Sequence, residues 1–164
     1  MEVTFKGEPL KVKGTQPKVG DKAPDATLTN RKGDKVELSS YFGDRPVVMS
    51  VVPDVQTRTC ELQTQRFAKE LAEKDVMFLT VSRNTVDEFN DWNKEHDLDL
   101  VTLSDTEKEF GDQYGLGIEL GGDERLTRSV FLVDTDGVIQ YVQFVEEVAD
   151  EPNYDETLEA IDRL

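Results

Sequence analysis

Val47-Val48-Met49-Ser50-Val51-Val52, followed by Pro53-Asp54-Val55-Gln56-Thr57-Arg58-Thr59-Cys60, is the stretch that decides the fold of this 164-residue chain. The first six residues are apolar apart from Ser50 and do not alternate, so they predict a central strand covered on both faces. Pro53 ends that strand and a threonine-rich turn follows. From Cys60 the period changes: Cys60, Thr64, Phe67, Ala68 and Leu71 recur at helical spacing, with Gln65, Lys69, Glu70 and Glu73 opposite. An amphipathic helix running to about Glu73 is predicted, with Cys60 in its first turn.

Working outward, Val76–Val81 reads as the next strand, Val86 to about Glu95 as an acidic helix turning Phe89 and Trp92 inward, Leu100–Leu103 as a strand and Glu107–Gln113 as a short helix. Gly115 to Gly122 reads as a loop punctuated by glycine. Arg128–Val133 and Val138–Phe144 flank Asp136-Gly137, which predicts a hairpin with a tight primed turn. A last helix covers about Tyr154–Arg163. Upstream, Val3 and Phe5 alternate with polar residues, Gly7-Glu8-Pro9 is placed at a turn, and Leu10 and Val12 return, giving an N-terminal hairpin within residues 1–14. Gly14 to Pro24 is a linker, and Arg31–Asp34 separates short strands at Thr27–Thr29 and Lys35–Leu38. The order predicts one α/β domain over 1–164, with a central mixed sheet parallel through the crossovers and antiparallel at the hairpin.

A chain of this length buries roughly 70% of its extended surface and folds without disulfides or metals. Net charge is −16, from 35 acids and 19 bases, which disfavours nucleic acid and anionic lipid as partners. The acids are unevenly placed: Thr85 to Arg125 holds thirteen against three bases, while residues 1–20 hold four lysines against two glutamates. Met1 is not followed by an apolar leader, and no stretch approaches the ~20 apolar residues of a membrane span, so a cytoplasmic protein is expected. A lone cysteine fits a reducing compartment.

Cys60 is the only cysteine. Free cysteines are usually buried small hydrophobes, but a thiolate in a helix's first turn faces unpaired N–H groups and the positive end of the macrodipole. Thr57 is three residues earlier, where its hydroxyl either reaches the sulfur and a bound oxygen substrate or caps the helix. Arg58 and the distant Arg128 are candidate cationic partners, and Glu61 opposes them. Attack on a peroxide O–O bond needs a thiolate, a hydroxyl, backbone N–H donors and a guanidinium around one small pocket. These residues can supply all four. His96, the single histidine, reads as a solvated residue near a helix end. One cysteine and one histidine do not make a closed zinc site, Asp134-x-Asp136-Gly137 lacks the remaining spacing of a calcium loop, and no cofactor is indicated.

Pro53-x-x-x-Thr57-x-x-Cys60 resembles the signature of the peroxiredoxin family. Ser50-Val51-Val52-Pro53, Gln63-Thr64, Phe67, Thr102-Leu103-Ser104-Asp105, Phe110-Gly111, Arg128-Ser129-Val130-Phe131-Leu132-Val133-Asp134 and Pro152-Asn153-Tyr154 make it similar to the bacterial thiol peroxidase branch. The resemblance implies a thioredoxin-like fold and a homodimer. It implies that Cys60 is oxidised to sulfenic acid by a hydroperoxide, that Thr57 binds and polarises the peroxide, that Pro53 shields the thiolate and that Arg128 holds the charge. Members of the branch usually carry a resolving cysteine where this chain has Asn93, after Trp92. With asparagine there, the sulfenic acid needs thioredoxin or another external thiol. The alternative is a peroxide sensor or binding protein whose cysteine oxidises without productive turnover. A second departure is Arg58, where the branch tends to have glycine.

Overall fold

The computed structural model describes all 164 residues. Seven strands form the central sheet: β3 (Thr27–Thr29), β4 (Lys35–Glu37), β5 (Val47–Val51), β6 (Met77–Ser82), β7 (Val101–Ser104), β10 (Ser129–Val133) and β11 (Ile139–Phe144), in the order β11-β10-β5-β6-β7-β3-β4. The strands β5, β6 and β7 run parallel, joined by the crossover helices α1 (Arg58–Leu71) and α2 (Val86–Glu95). All five residues of β5 are buried, which is why the run lacks alternation: α1 and α4 (Tyr154–Asp162) cover one face and α3 (Glu109–Tyr114) the other.

The two faces have different cores. Val47, Met49, Val51, Leu79, Val81, Phe131 and Val133 pack against Phe110 and Tyr114 of α3. On the opposite face Val48, Val130 and Leu132 meet Phe67 and Leu71 of α1 and Ala160 of α4. Beside this second cluster, at the carboxyl end of β5, Val52, Val55, Cys60, Phe89 and Trp92 form a small cluster between α1 and α2. The start of α2 is fixed by a capping box, with Thr85 Oγ1 accepting the Glu88 N–H and Glu88 Oε1 accepting the Thr85 N–H.

Three local expectations are corrected. In the N-terminal hairpin of β1 (Glu2–Phe5) and β2 (Glu8–Lys11), the turn is Lys6-Gly7, both at positive φ (51° and 85°), and Pro9 lies within the second strand opposite Thr4. A two-residue turn with both φ values positive matches the strand twist. The segment expected to be a loop from Gly115 contains β8 (Gly117–Leu120), which pairs with β9 (Asp123–Leu126) across Gly121-Gly122, both also at positive φ. Before β8, Gly115 is required because a Cβ there would stand 2.5 Å from the Thr15 carbonyl oxygen. Finally, the β10–β11 connection is a longer turn over residues 134–138. In it the Asp134 carboxylate accepts the Asp136 and Val138 N–H groups, and only Gly137 has positive φ.

The N-terminal hairpin is held to the body by backbone bonds at Thr4 and by the packing of Val3 and Val12 on Ile118 and Val148, and its turn is fixed by one side chain. Glu147, in the segment after β11, accepts hydrogen bonds from Thr4 Oγ1 (3.1 Å), Lys6 N (3.0 Å), Gly7 N (2.8 Å) and Ala149 N (2.8 Å). These bonds, led by those from the Ala149 and Gly7 N–H groups, hold its carboxyl below the ordinary 4.5, at about 2. The stability they supply is complete above pH 4.5 and is lost as pH falls through about 2. Hydrogen-exchange protection of the Lys6 and Gly7 amides is therefore expected to persist at pH 5 and to decline toward pH 2. In Glu147→Gln it is expected to be weak already at neutral pH and insensitive to acid. Wild-type protection that does not change with acid would contradict this.

Candidate active site

The site lies where β5 ends. Ser129 of β10 pairs with Val51 of β5, so Arg128, one residue earlier, is carried beside the chain that leaves β5 at Val52 and Pro53. Thr57 is the N-cap of α1 and Cys60 its third residue. The first bond of the helix runs from Glu61 N to Thr57 O at 2.9 Å, so the N–H groups of Arg58, Thr59 and Cys60 precede the ladder and face the end of the macrodipole that favours anions. Pro53, Thr57, Cys60 and Arg128 line one cavity of about 490 Å³, with Phe5, Leu120 and Val148 among its apolar walls. All four residues singled out in the sequence are thus together, and Cys60 is 1% exposed.

The turn between strand and helix is held from outside. Asn84 Oδ1 accepts the buried Val55 N–H (2.9 Å) and the Ser82 hydroxyl (2.6 Å), while Asn84 Nδ2 donates to Asp54 Oδ1 (2.9 Å). Asp54 Oδ1 also accepts the Gln56 N–H, and the Asp54 carbonyl accepts the Thr57 hydroxyl at 2.8 Å. Thr57 therefore does not cap the helix with its side chain. Its proton is committed to Asp54, which leaves the hydroxyl oxygen's lone pairs as acceptors.

Arg128 is 2% exposed. Its Nε donates to the Val148 carbonyl and its Nη1 to Gln63 Oε1, each at 2.9 Å, and Gln63 Nε2 donates onward to Ser50 Oγ at 2.7 Å. Every protein partner of this guanidinium is neutral; it joins no ion pair. Arg58 behaves differently. Its side chain is 77% exposed and lies 3.9 Å from Glu61, so it stands at the rim of the cavity and not at the sulfur. Glu61 turns away as well: its Oε1 is 3.3 Å from His96 Nε2. The histidine expected to be solvated is only 14% exposed. It stacks on Trp92 with ring centroids 4.3 Å apart and places Nδ1 2.8 Å from the Trp92 carbonyl.

Asn93 is fully buried and satisfied. Its Nδ2 donates to the Phe89 carbonyl (3.0 Å) and its Oδ1 accepts the Leu100 N–H (2.9 Å), joining α2 to the start of β7. The sequence reading missed the working partners Gln63, Asn84, Asp54 and Val148. For Gln63 there was a signal, since a polar residue three positions after Cys60 falls on the inward stripe of the helix. Asn84→Ala is expected to leave the Val55 N–H without its partner and to cost about 1–3 kcal/mol in urea unfolding. It should also speed alkylation of Cys60 by iodoacetamide as the turn loosens; unchanged alkylation would sink the link between this turn and the sulfur's shielding.

The AhpC/TSA family model matches residues 19–142. The chain is 37% identical over 161 residues to a thiol peroxidase of Staphylococcus saprophyticus, covering 97% of this chain and 96% of that protein. It is 39% identical over 163 residues to one of Listeria monocytogenes, with the same coverage. Among solved structures, a peroxiredoxin-like protein from Aquifex aeolicus is similar at TM-score 0.91 and 29% identity, covering 99% of this chain and 96% of that one. A thiol peroxidase from Chromobacterium violaceum shares the fold at TM-score 0.91 and 19% identity, with the same two coverages.

Proposed function

The chain belongs to the AhpC/TSA family, and from that premise we propose that it is a thiol-dependent peroxidase whose reacting atom is the Cys60 sulfur. One observation carries the reading: a buried guanidinium, Arg128, borders the sulfur's cavity and has only neutral partners in a protein with 35 acidic residues. A buried cation without a carboxylate calls for an anion beside it; the two acids that line the same cavity, Asp54 and Asp123, lie within 4 Å of Arg125 instead, which leaves the Cys60 thiolate and the peroxide oxygens to answer Arg128.

In the first step the Cys60 thiolate attacks the terminal peroxide oxygen. The S–O bond forms, the O–O bond breaks, and the leaving alkoxide or hydroxide takes a proton to become an alcohol or water, while Cys60 becomes a sulfenic acid. Thr57 Oγ1, acceptor-ready because its proton is held by Asp54, receives a hydrogen bond from the hydroperoxide. The remaining Arg128 N–H donors and the free N–H groups of the first helical turn stabilise charge on sulfur and on the departing oxygen. Pro53 walls the sulfur from water. Cys60 is the only thiol, so a thiol from outside, thioredoxin or a small thiol, attacks the sulfenic sulfur and releases water. A second thiol equivalent then returns Cys60 and leaves as disulfide. Hydrogen peroxide and organic hydroperoxides both present the required O–O bond. A cytoplasmic homodimer is the setting the resemblance implies, and no helix is long and apolar enough to cross a membrane.

Steady-state peroxide consumption with dithiothreitol or thioredoxin is expected for the wild type, with Cys60→Ser inactive and Arg128→Met slower by roughly 100-fold or more in the peroxide step. A single oxidation event with no reductant-supported turnover would instead favour a sensor. Asn93→Ala should destabilise by about 1–3 kcal/mol, through loss of its two buried bonds, while turnover with dithiothreitol stays within about twofold of wild type, because external resolution does not use this residue.

A further inference from the structure

Glu147 belongs to none of the groups that touch the cavity, yet its carboxylate joins two stretches that wall it: the N-terminal hairpin, through Thr4, Lys6 and Gly7, and the segment after β11, through the Ala149 N–H. Two successive carbonyls in this segment hold active-site side chains from different elements. Val148 O accepts Arg128 Nε at 2.9 Å, and Ala149 O accepts the hydroxyl of Thr59, the neighbour of Cys60, at 3.0 Å. The Ala149 N–H is itself bound by Glu147 Oε2 at 2.8 Å. The same carboxylate fixes the Lys6 and Gly7 N–H groups, and Phe5 and Lys6 form another wall of the cavity. Backbone bonds from Thr4 N to Glu146 O (2.8 Å) and from Val148 N to Thr4 O (2.7 Å) complete the seam.

We infer that Glu147 is a positioning residue for the peroxide step: its carboxylate sets the Val148 and Ala149 carbonyls that orient Arg128 and the first turn of α1. The inference rests on the reading of Cys60 as the peroxide-attacking sulfur. The site demands a carboxylate for a simple reason. Three N–H groups and one hydroxyl point at two oxygens, two donors to each, so both oxygens must be acceptors. Glutamine would turn one of them into an NH₂ facing donors, whichever way the amide is oriented. The consequence reaches Arg128 within a single peptide group, because the Ala149 N–H and the Val148 carbonyl share one rigid plane. Gln63 does not take over the Nε bond if that carbonyl shifts, because it is already engaged with Nη1.

Stopped-flow oxidation of Cys60 by hydrogen peroxide, followed separately from reduction of the oxidised enzyme by dithiothreitol, tests this. Glu147→Gln is expected to slow the peroxide step by roughly 10- to 100-fold, as misplacement of an orienting group does, and to leave the dithiothreitol step within about twofold. Once Arg128→Met has removed that guanidinium, adding Glu147→Gln should slow the peroxide step by much less than it does in the wild type, since only the contact of Thr59 with the Ala149 carbonyl is left for Glu147 to act through. Tyr114→Phe, which removes the bond from Tyr114 to the Pro24 carbonyl at the far face of the sheet, serves as a control that lowers Tm without touching the site. Should Glu147→Gln not fold, Glu147→Asp keeps the charge on a shorter arm and is expected to show an intermediate peroxide rate. A Glu147 variant that loses Tm but keeps the wild-type peroxide rate, as Tyr114→Phe should, would overturn the inference, as would losses in the double variant that multiply. The wild-type rate of Cys60 oxidation reports on the proposed function independently: if it is absent, that reading fails first.

Discussion

The Arg128 guanidinium is buried in the wall of the cavity that Cys60 also lines, without a counter-ion from the protein, and the rest of the site is arranged around that fact. Taking a charge out of water costs several kcal/mol even after relaxation. The fold offsets part of that cost with two well-formed hydrogen bonds to neutral oxygens, which orient the group but leave its charge uncancelled. The ends of these bonds come from α1, through Gln63, and from the segment after β11, through Val148. Arg128 thus joins three elements at the carboxyl end of β5, and the antiparallel register of β10 on β5 is what delivers it there. The first turn of α1 adds unpaired N–H groups pointing the same way. No carboxylate of this acid-rich chain pairs with Arg128, and in the proposed function the reacting sulfur takes that place.

Two roles are distinguished. The proposed chemistry sits in the cavity lined by Pro53, Thr57, Cys60 and Arg128, while a second set of polar groups, some buried and some partly exposed, holds those residues in place. Asn84 and Asp54 shape the turn before the helix, Gln63 and Ser50 brace the guanidinium, and Glu147 braces the carbonyl on its other side. Asn93 stands outside this supporting set. In its buried place it is a fastener between α2 and β7, so its position has a structural occupation in addition to lacking a thiol.

The sequence made the framework legible where local and global signals agree. The run of β5, apolar apart from Ser50 and without alternation, announced burial on both faces, and the helical spacing after Cys60 placed that residue in a first turn. The bounds read for the second helix, Val86 to Glu95, are those observed, because a capping box and the inward aromatics Phe89 and Trp92 act together. The β8–β9 hairpin was not legible, since its outer strand opens Asp123-Glu124-Arg125, a polar run that reads as loop. What makes it a strand is tertiary: Ile118 buries against Val3, Val12 and Val148, and Leu126 enters the main core. His96 was misread for a similar reason, because nothing in its neighbours along the chain signals Glu61 on another helix. Hydrogen-bond partners between distant segments, such as Gln63 with Arg128, follow from register and helix docking, which a linear reading does not reach.

The most direct test of the account is the coupling between the sulfur and the guanidinium, measured by urea unfolding of wild type, Cys60→Ser, Arg128→Met and the double variant under reducing conditions at neutral pH. If the buried charge is completed by the sulfur, the two substitutions are non-additive, with a favourable coupling on the order of 1 kcal/mol or more. Simple additivity would mean that Arg128 holds no charge at Cys60, and the account of the site would be wrong.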